Sequence, residues 1–114
     1  MPLSFLQRLM SAAPTLAPAD FLARREADAV VLDVRTPDEY AEGHLVGVEN
    51  IDFLNPSFRD RVEGLDRDAT YYLYCRSGGR SGKATELMQS MGFANVTNVG
   101  GYDALAGAGA ETER

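Results

Sequence analysis

Cys75 is the single cysteine of the chain, and the six residues after it, Arg76-Ser77-Gly78-Gly79-Arg80-Ser81, are the most chemically suggestive segment in the sequence. Adjacent glycines let successive backbone N–H groups converge into an anion-binding nest. A helix beginning in the same segment adds the positive end of its dipole, and Arg76, Arg80 and Lys83 add full charges. Such a setting stabilises a thiolate, so the pKa of Cys75 is expected below the free value of about 8.5, leaving a nucleophile at neutral pH. A lone cysteine by itself reads as a small buried hydrophobe; these neighbours overturn that reading. A cradle of N–H groups under a sulfur suits two reactions. One is attack on a phosphate ester. The other is attack on a sulfane sulfur, leaving a persulfide whose outer sulfur the amides hold.

These residues need elements to position them. Thr70 to Cys75 is a β-branched and aromatic run, which predicts a strand with the cysteine at its end. Ala84, Leu87, Met88 and Met91 recur at helical spacing, predicting a helix from Gly79 or Arg80 to Met91 that Gly92 closes. Upstream, Ala29 to Val34 is a β-branched and apolar run interrupted only by Asp33, as in a strand buried on both faces of a parallel sheet. Thr36 followed by Pro37 matches an N-cap and first helical position, with Asp38 and Glu39 suiting the dipole of a short helix that stops at Gly43. The remaining expectations are a helix from about Pro18 to Glu26, a strand over Val46 to Asp52, and a helix opening at Asn55-Pro56-Ser57 and running to about Val62. They close with a strand over Asn95 to Val99, a turn at Gly100-Gly101 and a short helix from Tyr102 to Ala106. This alternation calls for an α/β fold: a mainly parallel central sheet flanked by helices on both faces, with right-handed crossovers. Ligands of such sheets bind beyond the carboxyl ends of the strands, where Cys75 falls.

At 114 residues the chain is one domain, and with 45% hydrophobic and 25% charged residues it is a globular protein able to bury a core without a staple. One cysteine makes no internal disulfide, and Cys75 with His44 is too small a set of soft ligands for zinc, so no metal and no cofactor are expected. A net charge of −6 argues against nucleic acid as a partner. It also means that an anionic ligand must be drawn by a local cationic feature, and Arg76 to Lys83 is one. No apolar run approaches the about 20 residues of a membrane span. In Met1 to Ala13, Leu3, Phe5, Leu6, Leu9 and Met10 form an amphipathic pattern that Gln7 and Arg8 interrupt before it reaches the apolar length of a signal peptide. A cytoplasmic location is therefore expected, with that segment docked on the domain; a partner contact or an export signal are the alternatives. The expected layout is an N-terminal amphipathic segment over 1–14, the domain over 15–106, and a flexible small-residue tail over 107–114.

The segments Leu32-Asp33-Val34-Arg35-Thr36-Pro37-Asp38-Glu39-Tyr40, Gly43-His44-Leu45, Asn50-Ile51, Tyr74 to Ser81 and Gly100-Gly101 together resemble the rhodanese domain in its single-domain form, over about Leu16 to Leu105. The resemblance implies a sulfurtransferase fold with Cys75 as the persulfide carrier. In that family a six-residue loop from cysteine through arginine goes with sulfur transfer, and one residue more goes with related dual-specificity phosphatases; Cys75 to Arg80 is the shorter form. There are two departures from the family pattern. Leu105 stands near a position that is usually tryptophan, and Gly47-Val48-Glu49 stands where Gly-Ala is common.

The expected reaction is therefore thiosulfate sulfurtransfer. Cys75 attacks the outer sulfur of thiosulfate or a similar anionic persulfide donor. Arg76 and Arg80 bind the leaving group, and Arg76, Ser77, Gly78, Gly79, Arg80 and Ser81 hold the persulfide, which a cyanide or thiol acceptor discharges. A carrier module loaded by a protein sulfur donor or acceptor is the alternative, and a phosphatase a more distant one. Asp33 and Arg35 read first as a network holding loops at the sheet edge, with Arg35 a candidate accessory in substrate binding. His44 is a weak candidate for a general base, since a thiol of low pKa needs none. Tyr71, Tyr72 and Tyr74 are expected as strand and pocket-wall residues, and Ser77 and Ser81 as hydroxyl donors to the sulfur or to backbone.

Overall fold

The computed structural model describes residues 15–114, and the N-terminal amphipathic segment lies outside the described residues. Helix α1 (Pro18–Arg24) takes its proline in the first turn and buries Phe21 completely. Strand β1 (Val30–Asp33) leads into α2 (Pro37–Glu42), whose start is a reciprocal capping box between Thr36 and Glu39. Two short strands follow, β2 (His44–Leu45) and β3 (Glu49–Asn50), where the sequence suggested one strand over 46–52. Gly47, at φ +80°, turns the chain between them, a conformation open to glycine without strain. Then come α3 (Phe58–Glu63), β4 (Thr70–Cys75), α4 (Gly79–Ser90), β5 (Asn95–Gly101), α5 (Tyr102–Gly107) and β6 (Thr112–Glu113).

The central sheet has the order β3-β1-β4-β5, with every pairing parallel. Residue alternation along β4 divides the core. Tyr71, Leu73 and Cys75 face Phe58 and Val62 of α3 and Ala84 and Met88 of α4. Tyr72 and Tyr74 face the opposite layer, with Phe21 of α1 and Leu105 of α5. The two-residue period of a strand thus sends its tyrosines to both faces. Leu105 is fully buried, so the residue departing from the family pattern fills the core on that side. Among the described residues no helix is long and apolar enough to cross a membrane.

Two expectations about the C-terminal part change. Gly100-Gly101 is not a turn after the last strand: β5 continues through Gly101, with an irregularity between Leu73 and Cys75 that brings Cys75 opposite Gly101. The segment 107–114, expected as a free tail, runs back to place β6 antiparallel to β2, pairing His44 with Glu113 and Leu45 with Thr112. Val46 N–H donates to the Glu111 carbonyl at 3.0 Å at the end of this ladder. Small polar residues carry no strand pattern; here the edge backbone of β2 supplies the partner.

Candidate active site

Cys75 ends the central strand β4 and is 1% exposed. Directly after it the chain turns through Gly78, at φ +101°, into α4, so the loop lies over the N-terminus of a helix whose residues run from Gly79 to Ser90. The left-handed turn suits glycine, and it aims the Gly78 N–H at Cys75 Sγ, 3.0 Å away. Ser81 Oγ stands 3.4 Å from the same sulfur. Burial is the largest single influence on this thiol and disfavours its ionisation. The hydrogen bonds from Ser81, Ser77 and Gly78 together outweigh it and hold the pKa below its ordinary value.

The floor under the loop is the end of β5. A Cβ added to Gly101 would collide with the Arg76 carbonyl oxygen and come within 3.0 Å of Ser77 Cα, both backbone atoms that cannot swing aside. Gly101→Ala is accordingly expected to displace the Cys75 loop and reduce the yield of modified Cys75 at least about tenfold. The check is intact-mass analysis after exposure to a sulfur donor, alongside circular dichroism to establish that the domain still folds.

Arg80 and Arg76 differ in their engagement. Arg80 forms a two-point pair with Glu39, its two terminal nitrogens 2.7 and 2.9 Å from the two carboxylate oxygens. Arg76 is the open cation: its side chain is 73% exposed, and its nearest approach to Glu39 is 3.7 Å. The Arg80 hydrogen bonds are the main reason that the Glu39 carboxyl sits at about 2, assisted by the Thr36 backbone N–H. Glu39 therefore neutralises one of the two loop charges assigned above to leaving-group binding. In the sequence Glu39 reads as a helix-dipole residue within the segment that resembles the rhodanese domain. Only its place in the Thr36 capping box hinted that its carboxylate is held in a fixed direction.

Arg35 is almost wholly buried. It pairs with Asp33 at 2.6 Å through one terminal nitrogen, donates to the Gly43 carbonyl at 2.7 Å, and lies over the rings of Tyr74 and Tyr102. Asn50 donates to the Asp33 and Arg35 carbonyls, both at 2.9 Å, and Tyr74 donates to Asp33 at 2.8 Å. Burial, then the Asp33 charge, pushes the Tyr74 phenol well above its ordinary pKa, keeping it a donor. Arg35 and Tyr102 also line a small cavity of about 180 Å³ bordered by Glu39 and Arg76, so the network forms one wall of the space beside the loop. His44 is occupied elsewhere. Its Nδ1–H donates to the Tyr40 carbonyl at 2.8 Å, its ring stacks on Tyr40, and Nε2 is 3.4 Å from Glu113. Asn98, a residue the sequence did not single out, sits beneath the loop, within bonding distance of Gly78 and Ser81.

The buried thiol and the loop that cradles it lie within the part of the chain that matches known proteins. The family model for the rhodanese-like domain matches residues 17–108. Thiosulfate sulfurtransferase GlpE of Pseudomonas entomophila is 36% identical over 95 residues, covering 82% of this chain and 85% of that protein. A rhodanese-related protein from Thermoplasma volcanium superposes with a TM-score of 0.76 at 28% identity, covering 88% of this chain and 97% of that one. An Escherichia coli rhodanese whose structure was determined with anions superposes with a TM-score of 0.64 at 29% identity, over 75% of this chain and 98% of that one. With a matching family model across most of its length and a parallel sheet of the same architecture, the chain belongs to the rhodanese-like domain family, as a rhodanese-type transferase.

Proposed function

We infer that the chain moves a sulfane sulfur from thiosulfate, or a similar anionic donor, to a thiophilic acceptor through a persulfide on Cys75. The observation that carries this reading is the Gly78 N–H held 3.0 Å from Cys75 Sγ in a loop that lowers the thiol's pKa. The Cys75 thiolate attacks the outer sulfur of thiosulfate. The S–S bond of the donor breaks, and sulfite leaves with the electron pair. Arg76, the exposed cation of the loop, faces that dianion, while the N–H groups from Arg76 to Ser81 hold the outer sulfur of the persulfide. Cyanide or a thiolate then attacks the outer sulfur, the new S–S bond breaks, and Cys75 returns as thiolate, so two half-reactions share one site. The six-residue span from Cys75 to Arg80 leaves room for a sulfur atom better than for a phosphoryl group, which disfavours ester hydrolysis. A reduced thiolate of this kind fits the cytoplasm, where thiols are kept reduced.

Incubating the reduced protein with thiosulfate is expected to add the mass of one sulfur atom, which cyanide removes as thiocyanate. Persulfide formed only from a protein donor, with negligible turnover of thiosulfate, would instead favour the carrier reading. Release of phosphate from an aryl phosphate in a Cys75-dependent way would favour a phosphatase.

Charge at the site makes a second expectation. Glu39→Gln removes the carboxylate that neutralises Arg80 and keeps an oxygen for the Thr36 N–H, so the KM for thiosulfate should fall about three- to tenfold. An unchanged or higher KM would mean that the donor does not sense Arg80. The pair also has a pH signature. Because the folded pKa of Glu39 is depressed, its contribution to stability is present above the ordinary value of 4.5 and is lost as pH falls toward about 2. Urea midpoints of the wild type and Glu39→Gln should therefore converge on acidification.

A further inference from the structure

Asn98 lies on β5, is 4% exposed, and is bonded through both ends of its amide. Nδ2 donates to the Gly78 carbonyl at 3.2 Å, Oδ1 accepts from the Gly100 N–H at 3.0 Å, and Ser81 Oγ stands 2.7 Å from that Oδ1. Reversing the amide would aim an NH2 at the Gly100 N–H and an oxygen at the Gly78 carbonyl, so Oδ1 is fixed as the acceptor. A serine hydroxyl carries one proton, and facing Oδ1 it must donate. Toward Cys75 Sγ, 3.4 Å away, it then presents only lone pairs. Those lone pairs accept a bond from the S–H of a thiol and repel a thiolate. Ionisation of Cys75 therefore calls for the Ser81 hydroxyl to turn from Asn98 to the sulfur.

We propose that Asn98 is a positioning residue for the Cys75 nucleophile, acting through Ser81: it competes with the sulfur for the one hydroxyl proton and so favours the protonated thiol. In the resting thiol a chain runs from Cys75 S–H to Ser81 Oγ and from Ser81 O–H to Asn98 Oδ1. In the thiolate the hydroxyl donates to Sγ, while Oδ1 keeps the Gly100 N–H. Once Sγ carries a second sulfur it is a weak acceptor, and the hydroxyl returns to Asn98. The competition holds the thiol's pKa from falling too far, which matters because intrinsic nucleophilicity falls with pKa. This consequence for transfer rests on the sulfurtransferase reading; the coupling itself does not. The charged groups of the loop and of the elements packed against it are Arg76, Arg80 and Lys83, Glu39 and Glu42 of α2, the paired Asp33 and Arg35 at the end of β1, Asp52 after β3, and Asp103 of α5. They act on the thiolate through their charge and stay in place when Asn98 or Ser81 is changed.

The test is a pH titration of thiolate ultraviolet absorbance in the full chain, with Cys75→Ser as the tyrosine baseline, so that no sulfur donor enters the measurement. Ser81→Ala removes the hydroxyl donor to the thiolate, leaves the backbone N–H donors in place, and is expected to raise the Cys75 pKa by about one unit. Asn98→Leu removes the competing acceptor at similar volume and is expected to lower it by about half a unit. In the Ser81→Ala background, Asn98→Leu should leave the pKa unchanged. If Asn98 served only to hold the loop, its loss would loosen the Gly78 N–H and raise the pKa, equally in both backgrounds; that result overturns the proposal. So does a Ser81→Ala protein with the wild-type pKa, a result that stands even if Asn98→Leu does not fold. A protein that shows the coupling yet transfers no sulfur from thiosulfate would count against the sulfurtransferase reading alone.

Discussion

Cys75→Ser is expected to abolish persulfide formation: exposed to thiosulfate, the variant gains no sulfur, and thiocyanate production falls at least about a thousandfold. The physical ground is the leaving and attacking atom itself. The Gly78 N–H at 3.0 Å and the N-terminus of α4 both favour an anion at Sγ. A serine hydroxyl in the same cradle stays protonated at neutral pH, and its oxygen cannot replace sulfur as a reversible carrier of a second sulfur. The loss should be confined to chemistry. The N–H groups that face Sγ suit an alcohol oxygen equally well, so the variant should keep its secondary structure and a cooperative melting transition. Thiosulfate turnover that survives Cys75→Ser would end the persulfide mechanism, because no other residue of the loop can carry sulfane sulfur.

The largest expected loss of stability lies one strand away. Arg35→Ala should destabilise the domain by about 3–5 kcal/mol, read as a fall in the denaturant midpoint at unchanged slope. Asp33 is fully buried, and the Arg35 guanidinium meets it at 2.6, 2.9 and 3.1 Å. Removing the guanidinium leaves the carboxylate with the Tyr74 hydroxyl and the backbone N–H of residue 35, too few donors for a charge with no access to water. It also strips the Gly43 carbonyl of its donor and the rings of Tyr74 and Tyr102 of their cation. Combining Arg35→Met with Asp33→Asn should cost less than the sum of the two single changes, since the double variant buries no unpaired charge. This experiment also separates a structural from a binding role for Arg35. Where the variant is still folded, an unchanged KM for thiosulfate makes the residue a support of the pocket wall, and a raised KM makes it part of the anion site.

What the residues determined by themselves is whatever depends on neighbours in sequence. The aromatic-rich run from Thr70 to Cys75, the glycines after it and the helical spacing of Ala84, Leu87 and Met88 placed a nucleophile between a strand and a helix. Thr36-Pro37 with Glu39 marked the start of α2 for the same local reason. The alternation of strands and helices was enough for a parallel α/β sheet.

Tertiary structure decided the rest, because each remaining feature joins groups distant in the chain or reverses a local preference. Glu39 and Arg80 are 41 residues apart, and neither local pattern indicates that α2 and α4 meet above the sheet's end. Asn98 reads as an ordinary polar residue in a strand until β5 is laid beside β4, which sets its amide under Gly78 and Ser81. Gly100-Gly101 carries a strong turn signal, yet the need for backbone to pass flush beneath Arg76 and Ser77 keeps it in the strand. The last residues, too small and polar to show a pattern, find an edge in β2. Short-range sterics and periodicity are written into successive residues; which cation is neutralised, which amide holds the serine and which backbone edge is free arise only when the elements pack.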